Sequence, residues 1–262
     1  MIVTTDHWIA HPSGRIFARQ WQPEDAAPAL APIVLLHDSL GCVELWREFP
    51  ALLAAATRRR VAAYDRLGFG RSDARVGRPG TGFIAEEATA VWPVLRAQLG
   101  IGRLVAVGHS VGGGMAVELA AHAGHDCTAL VTMAAQAFVE DRTLAGLRVA
   151  QAQFADPAQV ERLARYHGSK AAWALDAWLG RWLDPAFAAW TLDAALPHVT
   201  CPVLVIHGEQ DEYGSAAHPR RIGAGVTGPA RLEMLPGGGH IPYREQPELV
   251  VRLIADFLAP LA

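Results

Sequence analysis

Apolar residues fall in short continuous runs, and between the runs the apolar positions recur at helical spacing. Residues 2–10 and 15–22 read as a hairpin around His11-Pro12-Ser13-Gly14. A loop rich in Ala and Pro follows over 23–32. Ile33-Val34-Leu35-Leu36 and Val61-Ala62-Ala63-Tyr64 are compact apolar strands, and further strands are predicted over 103–108, 129–133, 202–206 and 230–235. Helices are predicted over 44–57, over 81–99 with Pro93 as a kink, after Ser110, between the last two strands, and over 246–259. Continuous apolar strands alternating with helices predict an α/β fold with a mostly parallel central sheet and helices on both faces. The alternation breaks between about Gln136 and Val199, which read as helical throughout. Four of the eight Trp lie there: Trp173, Trp178, Trp182 and Trp190. Their indoles either pack this insertion onto the core or line an apolar substrate pocket beneath it.

Composition narrows the class. The chain has 262 residues, 51% hydrophobic and 19% charged, enough for a substantial core and against global disorder. Net charge is −3, and the one basic block, Arg58-Arg59-Arg60, reads as a solvated loop at a helix end rather than a nucleic-acid site. Cys42, Cys127 and Cys201 are odd in number and widely spaced, so they suggest neither a disulfide framework nor a zinc site. They read as small buried residues. The N-terminus lacks the pattern of a signal peptide, and no apolar run reaches the roughly 20 residues that span a bilayer. The expectation is a soluble, cytoplasmic protein that binds a small molecule and neither nucleic acid nor membrane.

The chemistry centres on Gly108-His109-Ser110-Val111-Gly112, a Gly-x-Ser-x-Gly pattern between a predicted strand and a predicted helix. A serine at such a turn projects its hydroxyl from a strained corner, and the glycines leave room where a Cβ would clash. The helix that follows aims its first amides at the same point. A serine hydroxyl needs a base, and the base needs an orienting group. Asp211 follows the strand 202–206, and His240 follows the strand 230–235 through Gly237-Gly238-Gly239. His109 reads as shaping the turn, His207 as a loop residue, and Glu209 and Glu212 as solvated neighbours. Glu140 or Asp141 is a second position for the acid. Developing negative charge on a substrate carbonyl needs backbone donors. These are predicted at Val111 and, in the loop His37-Asp38-Ser39-Leu40-Gly41, at Ser39.

Together these landmarks resemble the α/β-hydrolase fold superfamily over nearly the whole chain. Asp65-Arg66-Leu67-Gly68-Phe69-Gly70-Arg71-Ser72 is similar to that family's Asp-x-x-Gly-x-Gly-x-Ser turn. The resemblance implies a core domain of residues 1–135 and 200–262, with 136–199 as a helical cap. One departure stands out: the family's oxyanion loop usually reads His-Gly, and here it is His37-Asp38. That aspartate can alter the loop, bind a substrate amine or water, or point away.

The reading is therefore a serine hydrolase with Ser110, His240 and Asp211 as triad. It needs no cofactor or metal and is expected to act as a carboxylesterase on small or medium apolar esters. The alternatives are an aminopeptidase of the proline-iminopeptidase type, a carbon–carbon hydrolase with the same triad, and a non-catalytic receptor on the same fold. Oligomeric state is not readable.

Overall fold

A computed structural model describes residues 1–27 and 29–261. Pro28, inside the loop expected over 23–32, and Ala262, the last residue of the 200–262 segment, lie outside the described residues. In chain order the elements are β1 (Ile2–His11), β2 (Gly14–Pro23), β3 (Ile33–Leu36), α1 (Phe49–Thr57), β4 (Val61–Tyr64), α2 (Phe83–Glu86), α3 (Trp92–Leu99), β5 (Leu104–His109), α4 (Val111–Ala123) and β6 (Cys127–Met133). Then come α5 (Asp141–Gln153), α6 (Pro157–His167), α7 (Ala171–Leu175), β7 (Val203–Gly208), α8 (Ala217–Gly225), β8 (Ala230–Leu235), α9 (Pro242–Glu245) and α10 (Pro247–Leu258).

The eight strands form one sheet in the order β1-β2-β4-β3-β5-β6-β7-β8. β1 and β2 pair antiparallel, with Ile2 opposite Pro23 and His11 opposite Gly14, and β2 runs antiparallel to β4. From β4 to β8 every pairing is parallel. β3, β4, β5 and β7 are buried at every position, as expected for strands covered on both faces. Their side chains still alternate. Ile33, Leu35, Val105 and Val107 pack with Leu53 of α1 and Ile254 of α10. Val34, Leu36 and Ala106 pack with Leu95 of α3 and Met115 of α4 on the opposite face. Parallel pairing carries the carboxyl ends of β3, β5, β7 and β8 to one edge of the sheet, and the loops that follow them meet there.

Two predicted helices are interrupted near a proline, and a third begins at one. The expected 44–57 helix is a single tight turn, Val43–Trp46, then Arg47 at φ 51°, then α1 with Pro50 in its first turn. The expected 81–99 helix is α2, a wide π turn over Glu87–Val91, and α3 with Pro93 in its first turn. The expected 246–259 helix starts at Pro247, after the separate short α9. Proline lacks an N–H, which costs nothing where the first turn leaves amides unpaired anyway. The chain therefore reorients ahead of each proline. The arginine block also differs from expectation. Arg59 is only 3% exposed, and its guanidinium donates to the carbonyls of Ala31 (2.9 Å) and Leu261 (3.3 Å). A buried cation of this kind stitches three chain segments rather than facing solvent.

Residues 136–199 lie between β6 and β7 and carry α5, α6, α7, a π turn over Asp176–Gly180 and short 3-10 turns. An isolated bridge joins Phe138 to Thr191. The four indoles there divide between both expected uses. Trp173 packs edge-on against Phe69, and Trp190 stacks on Phe187. Trp178 and Trp182 line a cavity over the sheet edge.

Candidate active site

The site grows from the junction of β5 and α4. Ser110 sits at φ 55°, ψ −126°, a conformation that holds its side chain above the sheet edge. A Cβ on Gly108 would lie 2.0 Å from the Gly112 carbonyl oxygen, and one on Gly112 would lie 2.2 Å from that of Leu36. Both are impossible contacts, so the turn demands glycine on either side of the serine.

The structure brings Ser110, His240 and Asp211 together. Nε2 of His240 stands 3.1 Å from Ser110 Oγ, and Nδ1 stands 2.9 Å from each carboxylate oxygen of Asp211. Asp211 is fully buried, and its Oδ1 also accepts the amides of Tyr213 (2.8 Å) and Gly214 (3.0 Å). Burial alone would raise the Asp211 carboxyl, but the imidazole and these amides outweigh it and hold it below the usual carboxylate value. For His240, burial disfavours the imidazolium. The Asp211 hydrogen bond and charge outweigh that and lift the imidazole above its ordinary value.

The other candidates occupy supporting positions. His109 donates from Nε2 to the His240 carbonyl (2.7 Å), and the two rings lie 5.1 Å apart. His207, expected as a loop residue, lies within β7 and donates to the Gly214 carbonyl (3.1 Å). Glu209, Glu212 and Asp141 are exposed. Glu140, the alternative acid, is engaged elsewhere: it binds Ser215 and the buried ring of His218.

The loop after β3 is held from behind. Asp38's carbonyl oxygen accepts from Arg66 Nη2 and from His37 Nδ1, both at 2.7 Å. His37 Nε2 in turn accepts the Arg66 amide (3.1 Å). The His37 ring thus carries its proton on Nδ1, and burial beside the Arg66 guanidinium pushes its pKa well down. A trans peptide sends a carbonyl and the following N–H in opposite directions. The grip on the Asp38 carbonyl therefore turns the Ser39 N–H the other way, and Ser39 lines a cavity with Ser110. Among the described residues neither the Ser39 nor the Val111 amide has a hydrogen-bond partner. The cavity holds about 150 Å³, and Leu147, Trp178, Trp182 and Ile241 give it apolar walls.

A family model described as the alpha/beta hydrolase family matches residues 33–253. The chain belongs to the alpha/beta hydrolase family. Membership supports an enzyme. A protein of Mycobacterium phage D29 named as a candidate non-heme haloperoxidase is 37% identical over 107 residues, 41% of this chain and 37% of its own. The chain spans less than half the length of the curated relatives it matches. Among solved structures, the enol-lactonase of Burkholderia xenovorans LB400 superposes with a TM-score of 0.72 at 24% identity, covering 97% of this chain and 100% of that one. The 2-hydroxy-6-oxo-6-phenylhexa-2,4-dienoate hydrolase of Rhodococcus sp. strain RHA1 does so with a TM-score of 0.78 at 17% identity, covering 99% and 100%. At these identities the likeness shows the fold. No helix among the described residues of this alpha/beta hydrolase is long and apolar enough to cross a membrane.

Several residues of the site escaped the sequence reading. Gln136 Oε1 lies 3.4 Å from Ser110 Oγ, close enough to accept the hydroxyl proton. Its position just past β6, at the carboxyl edge of the sheet, was the available signal. Tyr213, two residues after Asp211, places its ring 4.8 Å from that of His240. Arg66 gave no signal: nothing local distinguishes a buried cation that holds a loop from a solvated one.

Proposed function

We propose that this protein is a serine hydrolase that works through an acyl-enzyme, most readily as a carboxylesterase on esters with short apolar groups. The observation that carries this reading is the line from Asp211 through His240 to Ser110, with gaps of 2.9 and 3.1 Å. Ser110 Oγ attacks the carbonyl carbon as His240 Nε2 takes its proton, and Asp211 holds the imidazole and balances its charge. The Ser39 and Val111 amides receive the oxyanion. Collapse expels the alcohol, protonated by His240, and water activated by the same imidazole releases the acid. Residues 136–199 act as a cap, and the roughly 150 Å³ cavity beneath them suits a small substrate.

Labelling with a fluorophosphonate probe and turnover of p-nitrophenyl acetate test the reading. Wild-type protein takes one adduct, on Ser110. Ser110→Ala takes none and loses turnover by about a million-fold while remaining folded. An unlabelled but folded wild-type protein would favour a receptor instead. A panel of p-nitrophenyl esters against proline anilides separates esterase from aminopeptidase.

A further inference from the structure

Asp38 occupies the place where the family usually has glycine, and its surroundings give that carboxylate a use. Its side chain is 29% exposed and lines the cavity together with Ser110 and His240. Among the described residues neither carboxylate oxygen accepts a hydrogen bond or meets an arginine or lysine within ion-pair distance. Arg66 is engaged with the Asp38 backbone carbonyl, and Arg244 donates to the Leu45 carbonyl. Asp211 by contrast accepts from the Tyr213 and Gly214 amides and from His240. The group that faces Asp38 is His109. Its Nδ1 is buried without a partner, 3.9 Å from Asp38 Oδ1 and beyond hydrogen-bond reach of it.

The rest of the cavity has the same bias. Among the described residues no lysine or arginine lines it, and Asp38 is the one carboxylate that does. Trp178, Trp182 and Tyr213 add aromatic rings to the lining, with those of Trp178 and Tyr213 6.0 Å apart. Aromatic faces attract cations through the ring quadrupole. The chemistry of the site adds a reason of its own. Asp38 is bonded to Ser39, whose amide would receive the oxyanion. A bare carboxylate so close opposes a second negative charge, and the conflict is relieved when a cation sits between them.

We propose that Asp38 selects substrates bearing a protonated amine near the reacting carbonyl, with the ammonium held between the Asp38 carboxylate and the aromatic wall. This rests on the reading of Ser110 as nucleophile and of this cavity as the substrate site. The shape of the cavity admits an apolar acyl or alkyl chain, and the charge decides which such chains are favoured. Burial works against the Asp38 charge, but the neighbouring His109 ring outweighs it and holds the carboxyl below its usual range, so the group is anionic near neutral pH.

The test is a tryptophan-fluorescence titration of Ser110→Ala protein with n-propylammonium, n-propanol and propionate, three probes of matched size and different charge. Propylammonium is expected to bind at least about tenfold more tightly than propanol, and propionate more weakly than either. In the Ser110→Ala, Asp38→Asn double variant the advantage of ammonium over propanol should vanish. Equal binding of the three probes by Ser110→Ala overturns the proposal, and so does an ammonium advantage that survives Asp38→Asn. If the double variant does not fold, the three-probe comparison on Ser110→Ala and on wild-type protein decides alone. No step of the titration uses catalysis. A protein that refuses the fluorophosphonate yet prefers ammonium would therefore sink the hydrolase reading, and with it the selection of substrates, and leave only a cation-binding cavity at Asp38.

Discussion

In the proposed mechanism His240 accepts the Ser110 proton only while Nε2 is free, so the protonation of one ring governs the acid side of the rate profile. Asp211 lifts that pKa above the ordinary histidine value of about 6.5. The sign follows directly: below the raised pKa the ring is imidazolium and cannot act as base. As pH rises through it, kcat/KM climbs and then levels. The acid limb of kcat/KM for p-nitrophenyl acetate should therefore have its midpoint above 6.5. Asp211→Asn removes the charge and offers the wrong partner to Nδ1, so the rate should fall by about 10^4-fold and the midpoint should move down. A midpoint unchanged by Asp211→Asn would mean that another group titrates. At this scale the meeting of Ser110, His240 and Asp211 was legible in the sequence, because each follows a strand end and the proposed chemistry demands those residue types. Asp38 was only half legible. Its identity announced a departure, but its direction depends on Gly41, which lacks the Cβ that would come within 2.1 Å of Asp38 Oδ1.

Strands and loops show which part of the fold the pattern of apolar residues can encode. β3 and β4 fall where the continuous runs predict, since a strand buried on both faces leaves no other composition possible. The helix break at Arg47 was not legible in the same way, because periodicity runs straight through it, whereas the π turn over Glu87–Val91 lies just ahead of Pro93, where a kink was expected. The hydrogen bonds of the turn after β4 say what it supports. Asp65 accepts the amides of Val43 and Arg71, each at 2.6 Å, and Ser72 Oγ donates to the Asp65 carbonyl while accepting the Phe17 amide. One carboxylate thus ties the segment after the Ser39 loop to the turn that carries Arg66. Asp65→Ala would leave two amides without their acceptor, at a cost of about 2–4 kcal/mol. The expected result in thermal unfolding is a melting temperature lower by roughly 5–15 °C. A change of less than about 2 °C would show that water replaces the carboxylate freely.

Across the whole molecule, the segment that covers the cavity and the loop that carries the acid are fastened to each other. Glu140, at the start of α5, accepts the Ser215 amide (2.6 Å) and hydroxyl (2.8 Å) and the His218 ring nitrogen (2.9 Å). Arg142 donates to the Asp211 carbonyl (2.9 Å), and Thr143 donates to that of Tyr213 (2.6 Å). Thr143 and Tyr213 both line the cavity. The first turn of the covering segment therefore sets the backbone on which Asp211 rides, and a displacement of α5 should reach His240 through that loop. No local pattern announces this, since the partners lie about 70 residues apart in the chain. Glu140→Ala removes the carboxylate that accepts from the Ser215 amide and hydroxyl and from the His218 ring, so these donors lose their shared partner. Turnover should fall by about tenfold, the size expected when a catalytic group shifts without being lost. If the clamp acts through Asp211, the midpoint of the acid limb must also move down toward the ordinary histidine value, because a displaced carboxylate supports the imidazolium less well. A purely structural role predicts a lower melting temperature with the midpoint unmoved, and that outcome would show that Glu140 does not act through Asp211.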